Sequence, residues 1–314
     1  MTIVNQSMIT DFILLGFSDL PRYQLQLFAV FLFILIITVL GNLAIILAVA
    51  GDSLLHSPMY FFLANLSFVD ICLSLVTIPQ MLVHFLVERK SISYGGCLSQ
   101  VYFFLLFANV EDFLLTVMAY DRYVAICNPL RYSVVMRKTA CVQMVAGTWA
   151  ASTANTILHT TMTSRLSFCG ANEINHFLCD MVPLFKLACS DTSLNQLVIF
   201  TEGSAVVMSP FVIIVISYIC IINAIRKIPS SSGRYKTFST CSSHLTVVSF
   251  YFGTIMFMYF RPSTSFALTK DRVASVMYTI LTPMLNPFIY SLRNNDVKGA
   301  LKKVLTGKKT SSSS

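Results

Sequence analysis

The chain has 314 residues, of which 55% are hydrophobic and 11% charged, with a mean hydropathy of +0.72 and a formal net charge of +8. A soluble domain does not hide that much apolar surface, so a membrane protein is the default class. The positive charge does not mark a nucleic-acid binder, because Lys and Arg fall in short segments between apolar runs.

Residues 1–24 are mixed and polar, with acids at Asp11 and Asp19 and no cleavable signal-peptide pattern. The first apolar span is therefore expected to act as its own targeting signal. Seven stretches then reach the roughly 20 apolar residues that a bilayer core needs. They lie at 25–49, 58–84, 98–121, 140–162, 197–222, 238–260 and 273–292. The predicted fold class is an all-α membrane protein, a seven-transmembrane helix bundle over residues 25–292.

An odd number of spans puts the termini on opposite sides. Of the 22 Lys and Arg, 14 fall on one side, in the segments 122–138, 226–236 and 293–309. The positive-inside rule then puts residues 1–24 outside and the C-terminus in the cytoplasm, in a multi-pass membrane protein. Asn5-Gln6-Ser7 agrees, as a glycosylation acceptor on the outer side. Asn65-Leu66-Ser67 has the same pattern inside an apolar run, out of reach of the transferase. After the last span, residues 293–306 read as an interfacial amphipathic helix. Val297, Leu301, Val304 and Leu305 share one face, with Lys298, Lys302 and Lys303 on the other. Residues 307–314 are expected to be a disordered cytoplasmic tail.

Five of the nine cysteines (Cys72, Cys127, Cys141, Cys220 and Cys241) lie in spans or near the cytoplasm and should stay reduced. Cys97, Cys169, Cys179 and Cys189 lie outside, where four oxidisable thiols allow three pairings. His176 to Asp180 offers an imidazole, a thiolate and a carboxylate close together, as a metal site would. The competing reading makes Cys179 half of a bridge. No metal site is predicted.

Polar residues inside spans are functional hypotheses, because each costs free energy there. Asn42, Asp70, Glu111, Asp112, Asp121, Arg122, Glu202 and Asn286 stand out. Asp70 and Glu111 sit at similar depth, where two carboxylates can hold a cation, share a proton or fix helix packing through a polar network. Pro79, Pro210, Pro283 and Pro287 interrupt spans, where neighbouring helices can satisfy the freed backbone groups. In the outer half of the third span, Phe104, Leu105, Ala108 and Asn109 recur on one helical face, and Asp112 continues it inward. Such a face lines a ligand pocket or packs against a neighbouring helix.

Taken in order, several motifs resemble the vertebrate odorant (olfactory) receptors among the rhodopsin-like G-protein-coupled receptors. They are Gly41-Asn42, Leu55 to Tyr60, Met118 to Cys127, Asn128 to Tyr132, Ser217-Tyr218, Lys236 to His244 and Pro283 to Asn294. The resemblance covers essentially the whole chain. It implies binding of a small volatile odorant between the helices and activation of a stimulatory (olfactory) G protein that raises cyclic AMP. It also implies a switch of Asp121, Arg122, Tyr123, Tyr218, Asn286, Pro287 and Tyr290. A sodium ion would sit near Asp70 and Glu111, with no other cofactor. The bridges would be Cys97–Cys179 and Cys169–Cys189, with Cys97–Cys189 as the alternative.

By position in the family, Glu202, Val206, Phe252, Ile255, Tyr259, Val276 and Thr279 join Phe104, Leu105, Ala108, Asn109 and Asp112 in the ligand-binding set. The acids Glu202 and Asp112 would favour amines or hydrogen-bond donors; in protonated form they would admit ketones or alcohols. One departure is local. Many members read Phe-Tyr-Gly in the sixth span, where this chain has Tyr251-Phe252-Gly253, which moves the hydroxyl by about 100° around the helix.

Other classes fit less well. A secondary transporter would show inverted repeats, and no internal repeat is visible. A non-olfactory seven-span chemoreceptor is the other alternative. A retinal-type photoreceptor needs a lysine buried in the seventh span, which has none. No nucleophile–base constellation suggests an enzyme.

Overall fold

The computed structural model describes residues 10–169, 172–259, 267–293 and 295–306. The Asn5 sequon and the tail 307–314 lie outside them.

Apolar runs with few breakers form long helices. They are α1 (Gln24–Gly51), α2 (Pro58–Leu86), α3 (Tyr94–Cys127) and α4 (Lys138–Ser164). α5 (Ser193–Arg226) contains a π-helical turn at Ile199–Gly203. α6 spans Ser231–Tyr259, α7 covers 267–293 with a π-helical turn at Met277–Leu281, and α8 spans Asn295–Thr306. Pro58 opens α2, where a missing N–H costs nothing. Ser93 caps α3, accepting from the Gly96 N–H at 3.1 Å.

Each predicted span coincides with one of α1 to α7. Among the described residues, five helices are both long and apolar enough to cross a membrane: α1, α2, α3, α5 and the Arg272–Tyr290 part of α7. α4 and α6 are long but richer in Ser and Thr. Apolar side chains of α1 to α8 meet in one core that includes Leu66, Val110, Leu114, Ile221 and Val248.

Gly41-Asn42 has a packing explanation. Pro287 cannot donate to the carbonyl four residues earlier, that of Pro283. The Asn42 side chain in α1 supplies that donor, Nδ2 to Pro283 O at 3.0 Å. A Cβ on Gly41 would stand 3.0 Å from Pro287 Cγ, so a larger residue would push α1 and α7 apart by a few tenths of an ångström. A neighbouring helix thus compensates the proline of α7.

The described N-terminal residues form a strand. β1 (Asp11–Leu14) lies between β2 (Ser91–Ser93), antiparallel with Phe12 opposite Ile92, and β3 (Glu173–Ile174), parallel with Ile13 opposite Glu173. Strand alternation turns Phe12 and Leu14 inward, where they are buried with Val101, Ile174 and Leu184.

At the opposite end, α8 packs against α1 and α2. Val297 and Ala300 are buried. The Tyr60 hydroxyl donates to Asp296 Oδ2 at 3.2 Å, and Lys303 Nζ reaches Asp52 Oδ2 at 2.7 Å. Lys303 therefore tethers the helix rather than only facing solvent. The Lys303 hydrogen bond, with the Leu54 N–H, holds the Asp52 carboxyl below its ordinary pKa. A lowered carboxylate pKa stabilises the docked helix above the unfolded value near 4, and that stabilisation disappears as pH falls through the lowered one. Asp52→Ala should remove it at every pH. The expected result is faster hydrogen exchange across α8 at neutral pH. Exchange unchanged from wild type would show that the tether does not hold the helix.

Candidate functional site

The regular turns of α3 place Phe104, Leu105, Ala108, Asn109 and Asp112 on one face, and that face lines a cavity of about 460 Å³. Small-molecule pockets commonly enclose roughly 300–1,000 Å³. The opposite wall is Val207 from α5, Tyr251 and Ile255 from α6, and Ser275 and Tyr278 from α7. A short helix, Met181–Leu187, forms the roof, started by Asp180 Oδ1 accepting from the Met181 N–H at 2.6 Å. Asp180, Met181, Pro183 and Lys186 face the cavity from it.

Two bridges hold the roof. Cys97 pairs with Cys179 (Cα–Cα 5.4 Å), and Cys169 with Cys189 (Cα–Cα 5.9 Å). The alternative Cys97–Cys189 is not the pairing in this structure. The Cys179 N–H donates to Gln100 Oε1 at 2.9 Å, and Gln100 Nε2 donates to Val76 O at 3.0 Å, so the bridge is also pinned to α2. The Cys179 sulfur is committed, and the imidazole beside it is used elsewhere: His176 Nε2 bonds Ser275 Oγ at 3.1 Å. Among the described residues no group of His, Cys, Asp and Glu side chains forms a metal centre. Arg272 closes the rim, donating to Gly16 O, to Asp19 Oδ1 at 2.8 Å and to Asn175 Oδ1 at 3.0 Å.

Six residues of the sequence-derived ligand set line this cavity: the five on α3, and Ile255. Val206, Phe252, Val276 and Thr279 do not; the residue beside each, Val207, Tyr251, Ser275 or Tyr278, lines it instead. One residue is about 100° of helix rotation. In α5 and α7 the π-helical turns shift the helical phase. In α6, Phe252 packs on Phe211 (ring centroids 5.3 Å apart) while the Tyr251 hydroxyl reaches Ala108 O at 3.4 Å. Thr279 is fully buried, its hydroxyl donating to Ser275 O at 2.7 Å. The Tyr259 side chain lies outside the described part. Glu202 points away from the cavity, toward α4, where it meets Asn155 and His159. The roof residues were missed, although an acid at an N-cap and a proline in the first turn, Asp180 to Pro183, are a helix-start signal.

Beneath the cavity lies a buried polar cluster. Asn286 Nδ2 donates to Asp70 Oδ2 at 2.9 Å. Asp70 Oδ1, Ser74 Oγ, Asn286 Oδ1 and both Glu111 carboxyl oxygens are buried without a hydrogen-bond partner. Glu111 is within electrostatic reach of Asp70 and Asp112. Oxygen donors left unsatisfied in one buried place suit a hard cation.

At the other end of α3, Asp121 Oδ2 lies 3.9 Å from Arg122 Nε and Asp121 Oδ1 accepts from the Tyr132 hydroxyl at 2.8 Å. Arg122 is nearly buried, and one of its terminal nitrogens has no partner. Tyr218 meets His244 Nδ1 at 2.7 Å, and His244 Nε2 meets Leu115 O at 3.1 Å, which links α5, α6 and α3. Tyr290 is buried with its hydroxyl unpaired, and Tyr123 stacks on Tyr120 (6.3 Å between centroids). Neither Tyr132 nor His244 was singled out from the sequence; a histidine inside an apolar span was the available signal for the second.

These features define a helical membrane protein with a small-molecule cavity near one end and a buried charged cluster at the other. The olfactory receptor family model matches residues 31–308. Olfactory receptor 1f45 of Rattus norvegicus is 53% identical over 305 residues, covering 97% of each chain. Olfactory receptor 1F1 of Homo sapiens is 52% identical over 301 residues (96% of each), and Olfactory receptor 1E16 of Mus musculus 51% over 309 (98% of each). The chain therefore belongs to the olfactory receptor family, and it is a receptor rather than an enzyme.

Proposed function

We propose that the chain is an odorant receptor that crosses the plasma membrane seven times, with its N-terminus outside and α8 on the cytoplasmic face. A small volatile molecule binds in the cavity beside Phe104, Asn109 and Asp112, and the receptor activates a stimulatory olfactory G protein that raises cyclic AMP. The carrying observation is that one helix, α3, supplies five residues of the cavity wall and also the Asp121–Arg122 pair at its far end. A ligand that shifts α3 against α5 to α7 is thereby coupled to that pair. Asp70, Ser74, Glu111 and Asn286 would hold a sodium ion, whose charge would offset the two carboxylates there. Asn5 would carry a glycan.

The test is an odorant panel applied to cells expressing the receptor, with cyclic AMP as readout. A response that requires the olfactory G-protein α-subunit supports the reading. A surface-expressed receptor silent to the whole panel, or a response independent of that subunit, overturns it.

A further inference from the structure

A chain of polar side chains runs from the cavity wall out to the α4–α5 surface. Asn109 Nδ2 donates to Asn155 Oδ1 at 2.8 Å. Asn155 Nδ2 donates to Glu202 Oε1, and His159 Nε2 meets Glu202 Oε2 at 2.7 Å. Asn155 and His159 stand one turn apart on α4, so both reach the same carboxylate. The π-helical turn at Ile199–Gly203 carries Glu202 to this side of α5.

The directions of these bonds are not interchangeable. An ionised carboxylate only accepts. Asn155 must therefore turn its NH₂ toward Glu202 and its carbonyl oxygen toward Asn109. Asn109 must in turn spend its NH₂ on Asn155. Its remaining group, Oδ1, has no hydrogen-bond partner among the described residues, and Asn109 lines the cavity. An asparagine amide otherwise presents either end with equal ease.

We infer that Glu202, acting through Asn155, is a positioning residue that fixes Asn109 as an acceptor toward the ligand. The inference rests on the odorant-receptor reading above and names its ligand class. Asp112 lines the same wall one turn further in. Close to Asn109 the Tyr251 hydroxyl is spent on Ala108 O, and the Lys186 ammonium faces the cavity from the roof, on another wall. At the Asn109 wall the cavity therefore favours apolar molecules that carry a hydrogen-bond donor, alcohols above all, over carbonyl compounds of the same skeleton.

The experiment compares straight-chain primary alcohols with aldehydes of equal carbon number, by cyclic AMP dose–response in cells. The wild type should prefer the alcohol by up to roughly tenfold in potency, the range of one hydrogen bond. Asn155→Leu frees the Asn109 amide to turn over, so the preference should fall to about onefold or reverse. Asn155→Asp keeps an acceptor facing Asn109, shares a proton with Glu202, and should retain the preference. Should the leucine variant not reach the surface, Glu202→Gln decides, because an amide there supports either direction of the relay. An alcohol/aldehyde ratio that survives in a surface-expressed leucine or glutamine variant overturns the inference, as does a wild type preferring aldehydes. A relay serving only helix packing would lower both potencies together. A wild type silent to both compound classes and to the wider panel would instead overturn the odorant-receptor reading.

Discussion

Cys97→Ser and Cys179→Ser are each expected to abolish odorant responses and to cut surface expression several-fold, whereas Cys169→Ser should be milder. Chain entropy alone does not produce that order. The two bridges close loops with sequence separations of 82 and 20. By the logarithmic loop rule that difference is worth only about 1 kcal/mol. What separates them is what each holds. Cys179 directly precedes the roof helix and is buried with Phe12, Leu14, Val101 and Leu184. Its backbone N–H also pins Gln100, and through it α2. Releasing Cys179 therefore frees the roof and the inner side of the three-stranded sheet together. Cys169–Cys189 ties the outer rim of the loop, where Phe168 and Ala188 already form a bridge. Cell-surface labelling beside odorant dose–response measures both quantities. Equal losses for the two bridges would show that the roof helix does not depend on Cys179.

Regular helices were legible from the sequence. The α3 face is a plain i, i+4 repetition, and all five of its named residues line the cavity. The same arithmetic fails across a π-helical turn, because an added residue per turn moves every later side chain around the axis. Val206 follows such a turn and Thr279 lies inside one, and both miss the cavity. Glu202 shows a second limit: hydrophobic context gives depth in a helix bundle but not the facing neighbour. Its partners Asn155 and His159 sit on α4, whose many Ser and Thr residues give it a weak apolar face. The strand β1 was hidden for a different reason. Four residues carry little pattern, and their hydrogen bonds come from positions near 91 and 173. Bridge pairing needed the resemblance, since four external cysteines alone leave three pairings open.

Arg122→Ala is expected to eliminate odorant-dependent cyclic AMP while leaving the receptor folded, at the surface and able to bind odorant. The local geometry gives the reason. Arg122 has one neighbouring carboxylate, at 3.9 Å, and that carboxylate is shared with the Tyr132 hydroxyl at 2.8 Å. One terminal guanidinium nitrogen is buried without a partner. A charged donor left unsatisfied costs at least about 1–3 kcal/mol, so the arrangement stores free energy that outward movement of the side chain recovers. Removing the side chain leaves Asp121 the Tyr132 hydroxyl as a donor, which limits the cost to the fold. Asp121→Asn should act in the opposite direction, by weakening the hold on Arg122 and raising cyclic AMP without odorant. His244→Ala removes the link from Tyr218 to the Leu115 carbonyl and should slow or weaken the response without silencing it. The three variants therefore rank as silent, constitutively raised and attenuated, at matched surface expression. An Arg122→Ala receptor that still signals at wild-type amplitude would remove the output role from this end of α3 and leave the Asp121–Tyr132 contact as a purely structural tie.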